Sequence, residues 1–426
     1  MRTSLESHVD AANALTARWC AAAGERDFVV SGAGVWPLLA LLASAADGPA
    51  REELTTAIGV PAANGRDGAL RLLRDLERAE AVSAALGVWV HRDLPLHETW
   101  SRALPEGVLA RLTGQSELDG WVARHTDGLI ERFPLTVDPD TLLVLATALV
   151  AKTRWQVPFE VGTLTSNNGP WRGHRGPGLS RTSTDVGSAA ILEAPQPVTR
   201  VVIEGVADLD VHLLLGAGIP AAVLGTGLTA LSGATPIRSD LPVGTEGPGL
   251  SVRTERVLSS TGQLRIRLPP FEVRSTHDLL TASDLFGLAA ATDCTRGHFP
   301  AISPAPLCVG QGAQEVLARF SHEGFEAAAV TAFALRAAAA ALRPNSAPVI
   351  SVTFDRPFGF LAVHRPTSLA VVAGWITPPQ PPPLTPSPDH PRAGLPPTPT
   401  VPRPTPAACE VPSTVGQRGF KRQLQP

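Results

Sequence analysis

The 426-residue chain has no tyrosine and only two lysines, Lys152 and Lys421, so nearly all its basic charge is arginine. Alanine, glycine, proline and arginine abound instead, a bias that fits a GC-rich genome better than any function. Excess charge is lacking as well. The formal net charge is −3, which gives no electrostatic case for nucleic acid or an anionic membrane as partner. Long apolar runs are missing: the longest, Val35 to Ala46 and Leu142 to Ala151, are too short to span a bilayer. The four cysteines, Cys20, Cys294, Cys308 and Cys409, match no zinc or redox spacing, and no obligatory disulfide is expected. Met1 to Asp10 shows no basic region leading into an apolar core, so no secretory signal is read and a cytoplasmic location is the expectation.

Catalytic signatures are absent too. No G-x-S-x-G occurs, which removes the usual mark of an α/β-hydrolase nucleophile. His97-Glu98 and His322-Glu323 each lack the second histidine of H-E-x-x-H. Gly32-Ala33-Gly34 and Gly216-Ala217-Gly218 lack the third glycine of a dinucleotide loop. The histidines show no ligand spacing, so neither a metal nor a cofactor is expected, and an enzyme is the weaker hypothesis.

What is present is a 44% hydrophobic chain, enough for a sizeable core. Val9 to Ala23 reads as an amphipathic helix, Phe28 to Ser31 as a short buried strand and Val35 to Ala46 as a buried helix. A second helix runs from Glu52 to Ile58 and stops at Gly59. Ala85 to Val90 reads as a strand. Leu118 to Ile130 reads as an amphipathic helix with Gly128 near its end. Thr141 to Val150 is apolar throughout, as for a strand buried on both faces. Val161 to Asp185 is polar and glycine-rich and reads as a loop. Ala189 to Leu192, Val198 to Ile203 and Leu209 to Leu215 read as strands, Thr226 to Glu246 as connecting structure, and Leu264 to Val273 as an alternating strand.

One stretch supports two readings. Ser321 to Pro344 is alanine-rich, which favours helix. Yet Phe325, Ala327, Ala329, Thr331, Phe333 and Leu335 share one parity and carry no charge, while Glu326 and Arg336 fall on the other. A strand with one buried face needs that alternation. A segment able to be either is a candidate switch.

Glu323, Gly324, Glu326, Ala327, Ala328, Ala329 and Thr331 match E-E-G-T-E-A-A-A-A-T, and the stretch resembles the hinge and reactive loop of the serpins, of bacterial type. Phe354 to Leu361 resembles the family's D-R/H-P-F strand, and Gly374-Trp375-Ile376 its terminal G-R-V. Upstream, Leu118-Asp119-Gly120-Trp121-Val122 with Thr126 to Ile130 resembles I-N-x-W-V-x-x-x-T-x-G-x-I. Trp155, Pro158 and Phe159 match the family's W-x-x-P-F, and Ala46 to Gly59 carries a weakened G-A-x-G-x-T signature. The matches extend from about Val9 to Pro378.

The resemblance implies an α+β serpin fold over residues 1–376, with three β-sheets, eight or nine helices and an exposed reactive loop. The implied function is that of a single-use serine protease inhibitor, a monomer whose partner is a target protease. The cleaved loop would enter the main sheet as a new strand. Glu323 to Leu342 would be largely exposed beforehand, and Gly324 would supply a bend at the hinge. The loop length places the cleaved bond at Ala338–Ala339, which suits an elastase-like pocket, with Arg336–Ala337 as a trypsin-like alternative. The family's breach and shutter positions fall on Trp155, Ser31, Thr147 and Gln314. Four departures stand out. Phe325 replaces a small residue at the first inserted position, where overpacking would cost roughly 1–3 kcal/mol and slow insertion. His322 replaces a glutamate. Thr147 and Gln314 replace an Asn and a His, and could hydrogen-bond as a pair. The alternatives are a non-inhibitory serpin fold and, behind it, a hydrolase.

From Thr377 to Pro426, sixteen of fifty residues are proline. Such a segment cannot bury a core and reads as a disordered tail.

Overall fold

The computed structural model describes residues 4–166, 169–257, 262–325 and 345–377, with side chains from Ser7 onward. In chain order these form α1 (Ser4–Ala22), β1 (Phe28–Val30), α2 (Gly32–Ala45), α3 (Gly48–Ile58), α4 (Ala62–Glu77), β2 (Val82–Val90), α5 (Glu98–Ser101), β3 (Leu109–Arg111), α6 (Gln115–His125), β4 (Leu143–Ala151) and β5 (Thr153–Arg154). Then follow β6 (Glu160–Thr165), β7 (Arg175–Ser183), β8 (Ala189–Leu192), β9 (Val198–Glu204), β10 (Leu209–Leu215), α7 (Pro220–Leu231), β11 (Ile237–Arg238), β12 (Glu246–Gly247), β13 (Leu250–Val257) and β14 (Gln263–Leu268). The last are β15 (Phe271–Asp278), α8 (Ser283–Phe286), β16 (Ala313–Phe320), β17 (Gly324–Phe325), β18 (Asn345–Thr353), β19 (Phe358–His364) and β20 (Leu369–Ile376). Eight α-helices among the described residues, with mixed sheets, meet the α+β expectation.

The strands make a seven-stranded sheet, β1-β20-β19-β10-β9-β8-β11, and a six-stranded sheet, β12-β13-β18-β14-β7-β6. A four-stranded sheet, β15-β16-β17-β5, and a three-stranded sheet, β3-β2-β4, complete the set. The last two are halves of one large sheet, because β4 runs through Lys152 directly into β5. Taken that way, the three expected sheets are present, the main one unladdered between β4 and β16 among the described residues. The deepest core lies on β19 and β20, where every residue is buried. Strands buried on both faces need continuous apolar sequence, which Phe358 to Val363 and Leu369 to Ile376 supply.

Several local expectations are corrected. Val161 to Asp185 is largely not a loop: β6 and β7 pair antiparallel from Glu160↔Ser180 to Thr165↔Arg175. An edge strand tolerates polar residues, and Gly178 permits the close approach, since a Cβ there would stand 2.4 Å from the Leu164 amide nitrogen. Thr226 to Leu231 is helical, the end of α7, with Thr226 and Thr229 hydroxyls bonded back to carbonyls one turn earlier. Leu264 to Val273 is two strands in different sheets, split at Pro269-Pro270. In β4, Val144, Ala146, Ala148 and Val150 are buried but Leu143, Leu145, Thr147 and Leu149 only half so. The expected burial on both faces fails on the face that lines the seam cavity, and among the described residues β4 has no paired neighbour on its β16 side. The absence of a disulfide is also overturned: Cys294 and Cys308 are bonded, with Cα atoms 5.1 Å apart.

His212 on β10 pairs with Val202 and Leu361 of its neighbouring strands. Burial, then the Arg200 charge, outweighs Asp210 and pushes its imidazole down to about 4. The unfolded chain takes up this proton near pH 6.5, the folded chain only near pH 4. Stability from this group is therefore complete above pH 6.5 and lost as pH falls towards 4, by about 3 kcal/mol in all. His212→Gln should flatten that slope in urea titrations run between pH 7 and pH 4. An unchanged slope would assign the acid sensitivity elsewhere.

Candidate functional site

The site is the seam between β4 and β16. Both strands are fully laddered on their far sides, β4 to β2 from Leu143↔Val90 to Ala151↔Val82, and β16 to β15 from Ala313↔Asp278 to Phe320↔Phe271. Among the described residues they are bridged towards each other only at one end, where β17 pairs with both β16 and β5. Along the rest lies a cavity of about 100 Å³, lined by Leu145, Thr147 and Leu149 on one side and Gln314 and Val316 on the other. Neighbouring strands sit about 4.8 Å apart, so a strand placed between them needs about 9.6 Å. β4 and β16 line the two sides of the space that such a strand would occupy.

Over this gap runs the segment after α6. Trp89, Leu118, Val122, Phe133, Val144 and Ala146 form a small core that seats α6 on the three-stranded sheet. This explains the L-D-G-W-V pattern: Leu118 and Val122 point inward, and Trp121 meets Trp89 edge-on at 4.9 Å. Asp119 accepts from the Gln115 amide and from the Phe133 N–H, each at 2.9 Å. Those bonds, the Gln115 one foremost, hold its carboxyl below the usual range. Gln115 also donates to Leu135 O and accepts from Val137 N–H. The cover over the seam is thus tied to α6.

Beneath the seam both strands are tied to the start of α2. Gln314 accepts from Ser31 N–H at 3.0 Å and donates to Ser31 O at 2.9 Å. Thr147 donates to Gly34 O at 2.6 Å. Thr147 and Gln314, which could have bonded as a pair, each bond instead to the Ser31 to Gly34 turn. Ser31 caps α2 by accepting from Gly34 N–H and donates to Val371 O at 2.7 Å. Two glycines permit this packing: a Cβ at Gly34 would stand 3.1 Å from Gln314 Nε2, and one at Gly32 2.2 Å from Thr16 Oγ1. Gln314→Leu leaves the Ser31 N–H without its partner, at about 1–3 kcal/mol, while Ser31 O keeps the amides of Gly34 and Val35. The melting temperature of the intact protein should fall accordingly, and an unaltered value would remove Gln314 from this tether.

At the bridged end, the chain before the hinge turns through a hairpin. Ser321 N–H donates to Gly324 O at 2.9 Å, and Ser321 Oγ accepts from the amides of Glu323 and Gly324. Trp155 and Phe159 grip this hairpin. Trp155 N–H donates to Glu323 O, its indole N–H to Ser321 O, and Phe159 N–H to His322 O, at 2.8–2.9 Å. The Trp155 ring lies 4.7 Å from Phe320. His322, where the family has glutamate, sits at this turn beside Glu323.

Sequence reasoning missed Arg181, which falls in the stretch read as a loop. Its guanidinium lies 4.8 Å over the Phe159 ring and donates to Val157 O, bracing the Trp155–Phe159 strap from behind. Only the buried flanks of that stretch, Leu179 among them, hinted at a strand.

The hinge differs from expectation at its start. Glu323 is partly covered, and Gly324 and Phe325 are buried and paired into the sheet. Gly324 makes no bend through a positive φ; its role is close approach, since a Cβ would stand 2.3 Å from Thr153 O. Phe325 is 1% exposed, pairs with Thr153 and Phe320, and faces Phe360 at 6.1 Å. It meets no steric exclusion at this position. Glu326, Ala327, Ala328, Ala329 and Thr331 lie outside the described residues, as do the bonds Ala338–Ala339 and Arg336–Ala337 and residues 378–426. Thr377, read as the first residue of the tail, is instead tied to the body, donating to the Asp27 carboxylate and accepting from the Trp171 indole N–H.

Among the described residues no helix is long and apolar enough to cross a membrane, and no cluster of three or more metal-ligating side chains forms.

Comparison with known proteins gives a consistent answer. A profile described as Serpin (serine protease inhibitor) matches residues 7–168 and 251–379, well over half of the chain. Mouse plasminogen activator inhibitor 1 is 24% identical over 397 residues, covering 84% of this chain and 88% of that protein. Rice Serpin-Z2A is 25% identical over 405 residues, 83% of this chain and 92% of that protein. These relatives lend no support to a bacterial subtype. Among solved structures, the thermophilic serpin Tengpin in its native state superposes with a TM-score of 0.65 at 15% identity, over 89% of this chain and 95% of that one. By family match and by fold, the chain belongs to the serpins.

Proposed function

We propose that this protein inhibits a serine protease by acting as its single-use substrate. The protease attacks the reactive loop and forms an acyl-enzyme. The freed loop then enters the seam between β4 and β16, carrying the protease across the molecule before deacylation. What carries this reading is the seam itself: an unladdered gap in the main sheet with Phe325 already paired at its mouth. A strand that begins inserted needs no nucleation, because the first ladder bonds are in place and each further pair adds to a fixed register. The loop supplies the row Ala327, Ala329, Thr331, Phe333 and Leu335 for the inner face. Cleavage falls at Ala338–Ala339 for an elastase-like target or Arg336–Ala337 for a trypsin-like one. Residues 378–426 take no part and form a removable tail.

The test is incubation with a panel of elastase-like and trypsin-like serine proteases, read on a denaturing gel. A covalent complex at the summed mass supports inhibition, and mass spectrometry of the released C-terminal fragment identifies the cleaved bond. Loop cleavage with no complex supports the second reading, a serpin fold without inhibition. That reading draws on Phe325, whose burial holds the hinge in place before any cleavage.

A further inference from the structure

We propose that the Cys294–Cys308 disulfide is a thiol–disulfide exchange site, and that a dithiol reductant acting there loosens β16 on its seam side. The inference rests on the reading above only for its effect on loop insertion. The bond is placed for exchange: Cys294 is exposed and Cys308 half-buried. A thiolate of the reductant attacks the Cys294 sulfur, the S–S bond breaks, and Cys308 leaves as a thiolate that takes up a proton. The reductant's second thiol resolves the mixed disulfide, leaving Cys294 as a thiol and the reductant as a disulfide.

The cross-link joins two differently anchored segments. Just before Cys294, Ala290 N–H donates to the Glu53 carboxylate on α3 at 2.8 Å. Just after Cys308, Val309 N–H donates to Ala291 O and Gly312 O accepts from Leu279 N–H, and β16 starts at Ala313 with Gln314 next. The enclosed loop is itself fixed to stationary parts, through Asp47 N–H to His298 O and the Ser303 hydroxyl to Pro95 O. The disulfide therefore ties the lead-in of β16 to α3 and the α2–α3 junction. β16 forms the wall of the seam opposite β4, so how firmly its lead-in is held bears on how readily a strand enters there. Opening the cross-link returns chain freedom to a loop whose ends are 14 residues apart.

The probe is dithiothreitol under native conditions, followed by alkylation, amide exchange and protease cleavage. Without reductant Cys294 and Cys308 should resist alkylation; with it, the count of alkylated cysteines should rise by two. Amide exchange at Val309 and Leu279 should then speed up at least tenfold. Cys294→Ser with Cys308→Ser should reproduce this state and make it indifferent to reductant. After loop cleavage, the reduced protein should reach its inserted form several times faster. Alkylation of both thiols without reductant, a bond that resists reduction in the folded protein, or faster exchange confined to residues 295–307 would each overturn the proposal. Successful exchange with no insertion after cleavage would uphold the site and defeat the insertion reading instead.

Discussion

Arginine in place of Ala327 or Ala329 should turn the protein from an inhibitor into a substrate. The parity of the loop puts both residues on the face that turns inward once the loop is inserted. An arginine there brings an unpaired charge into an apolar slot, which costs several kcal/mol unless a partner is found. On the inward parity the lining is apolar, Leu145, Leu149 and Val316, with Thr147 and Gln314 committed to α2. The carboxylate in the lining, Glu315, falls on the other parity of β16 and is paired with Arg274. Insertion then stalls while deacylation proceeds. The expected result is complete loop cleavage with loss of nearly all covalent complex, at an unchanged melting temperature of the intact protein. Ala328→Arg, on the opposite parity, should retain the complex. If both parities behave alike, the inserted-strand geometry is wrong.

Phe325→Thr carries the second large effect, and its sign is reversed by the structure. From sequence, a phenylalanine at the first inserted position looks like an obstacle, and threonine should speed insertion. In the fold the ring is seated: 1% exposed, across from Phe360 and paired to Thr153 and Phe320. Removing it takes a buried aromatic from the mouth of the seam, at about 3 kcal/mol. The hinge should then leave the sheet in a fraction of molecules, and insertion after cleavage should slow because its first pairs must be rebuilt. Stopped-flow measurement of Trp155 fluorescence after cleavage would report the rate, since its ring packs on Phe320 next to β17. Faster insertion in Phe325→Thr would restore the steric account.

Much of the fold was legible because its signals are local. Val35 to Ala46 is apolar on every side and is a buried helix; Leu209 to Leu215 is a strand as read. The family motifs placed Trp155, Ser31, Thr147 and Gln314 near the main sheet, where they stand. What was not legible depends on partners distant in sequence. Thr147 and Gln314 could by residue type have bonded to each other, but each finds the α2 turn, more than a hundred residues away. The strands β6 and β7 looked like a loop because an edge pair needs little apolar sequence. The Cys294–Cys308 bond left no spacing signature, since what brings the two together is the packing of the loop between them. Gly324 was expected to bend the chain, and it serves close approach to Thr153 O, a contact that no local pattern encodes.

Among the described residues the main sheet is unladdered between β4 and β16, and on the proposed mechanism it gains stability by closing on its own cleaved loop. The direct measurement is the melting temperature of intact and loop-cleaved protein, side by side, with the tail removed from both. Filling the seam adds two ladders of backbone hydrogen bonds and buries the row from Ala327 to Leu335 against Leu145, Leu149 and Val316. The cleaved form should therefore melt well above the intact one. If the two melt together, the loop does not insert, and the protein has the serpin fold without the inhibitory mechanism.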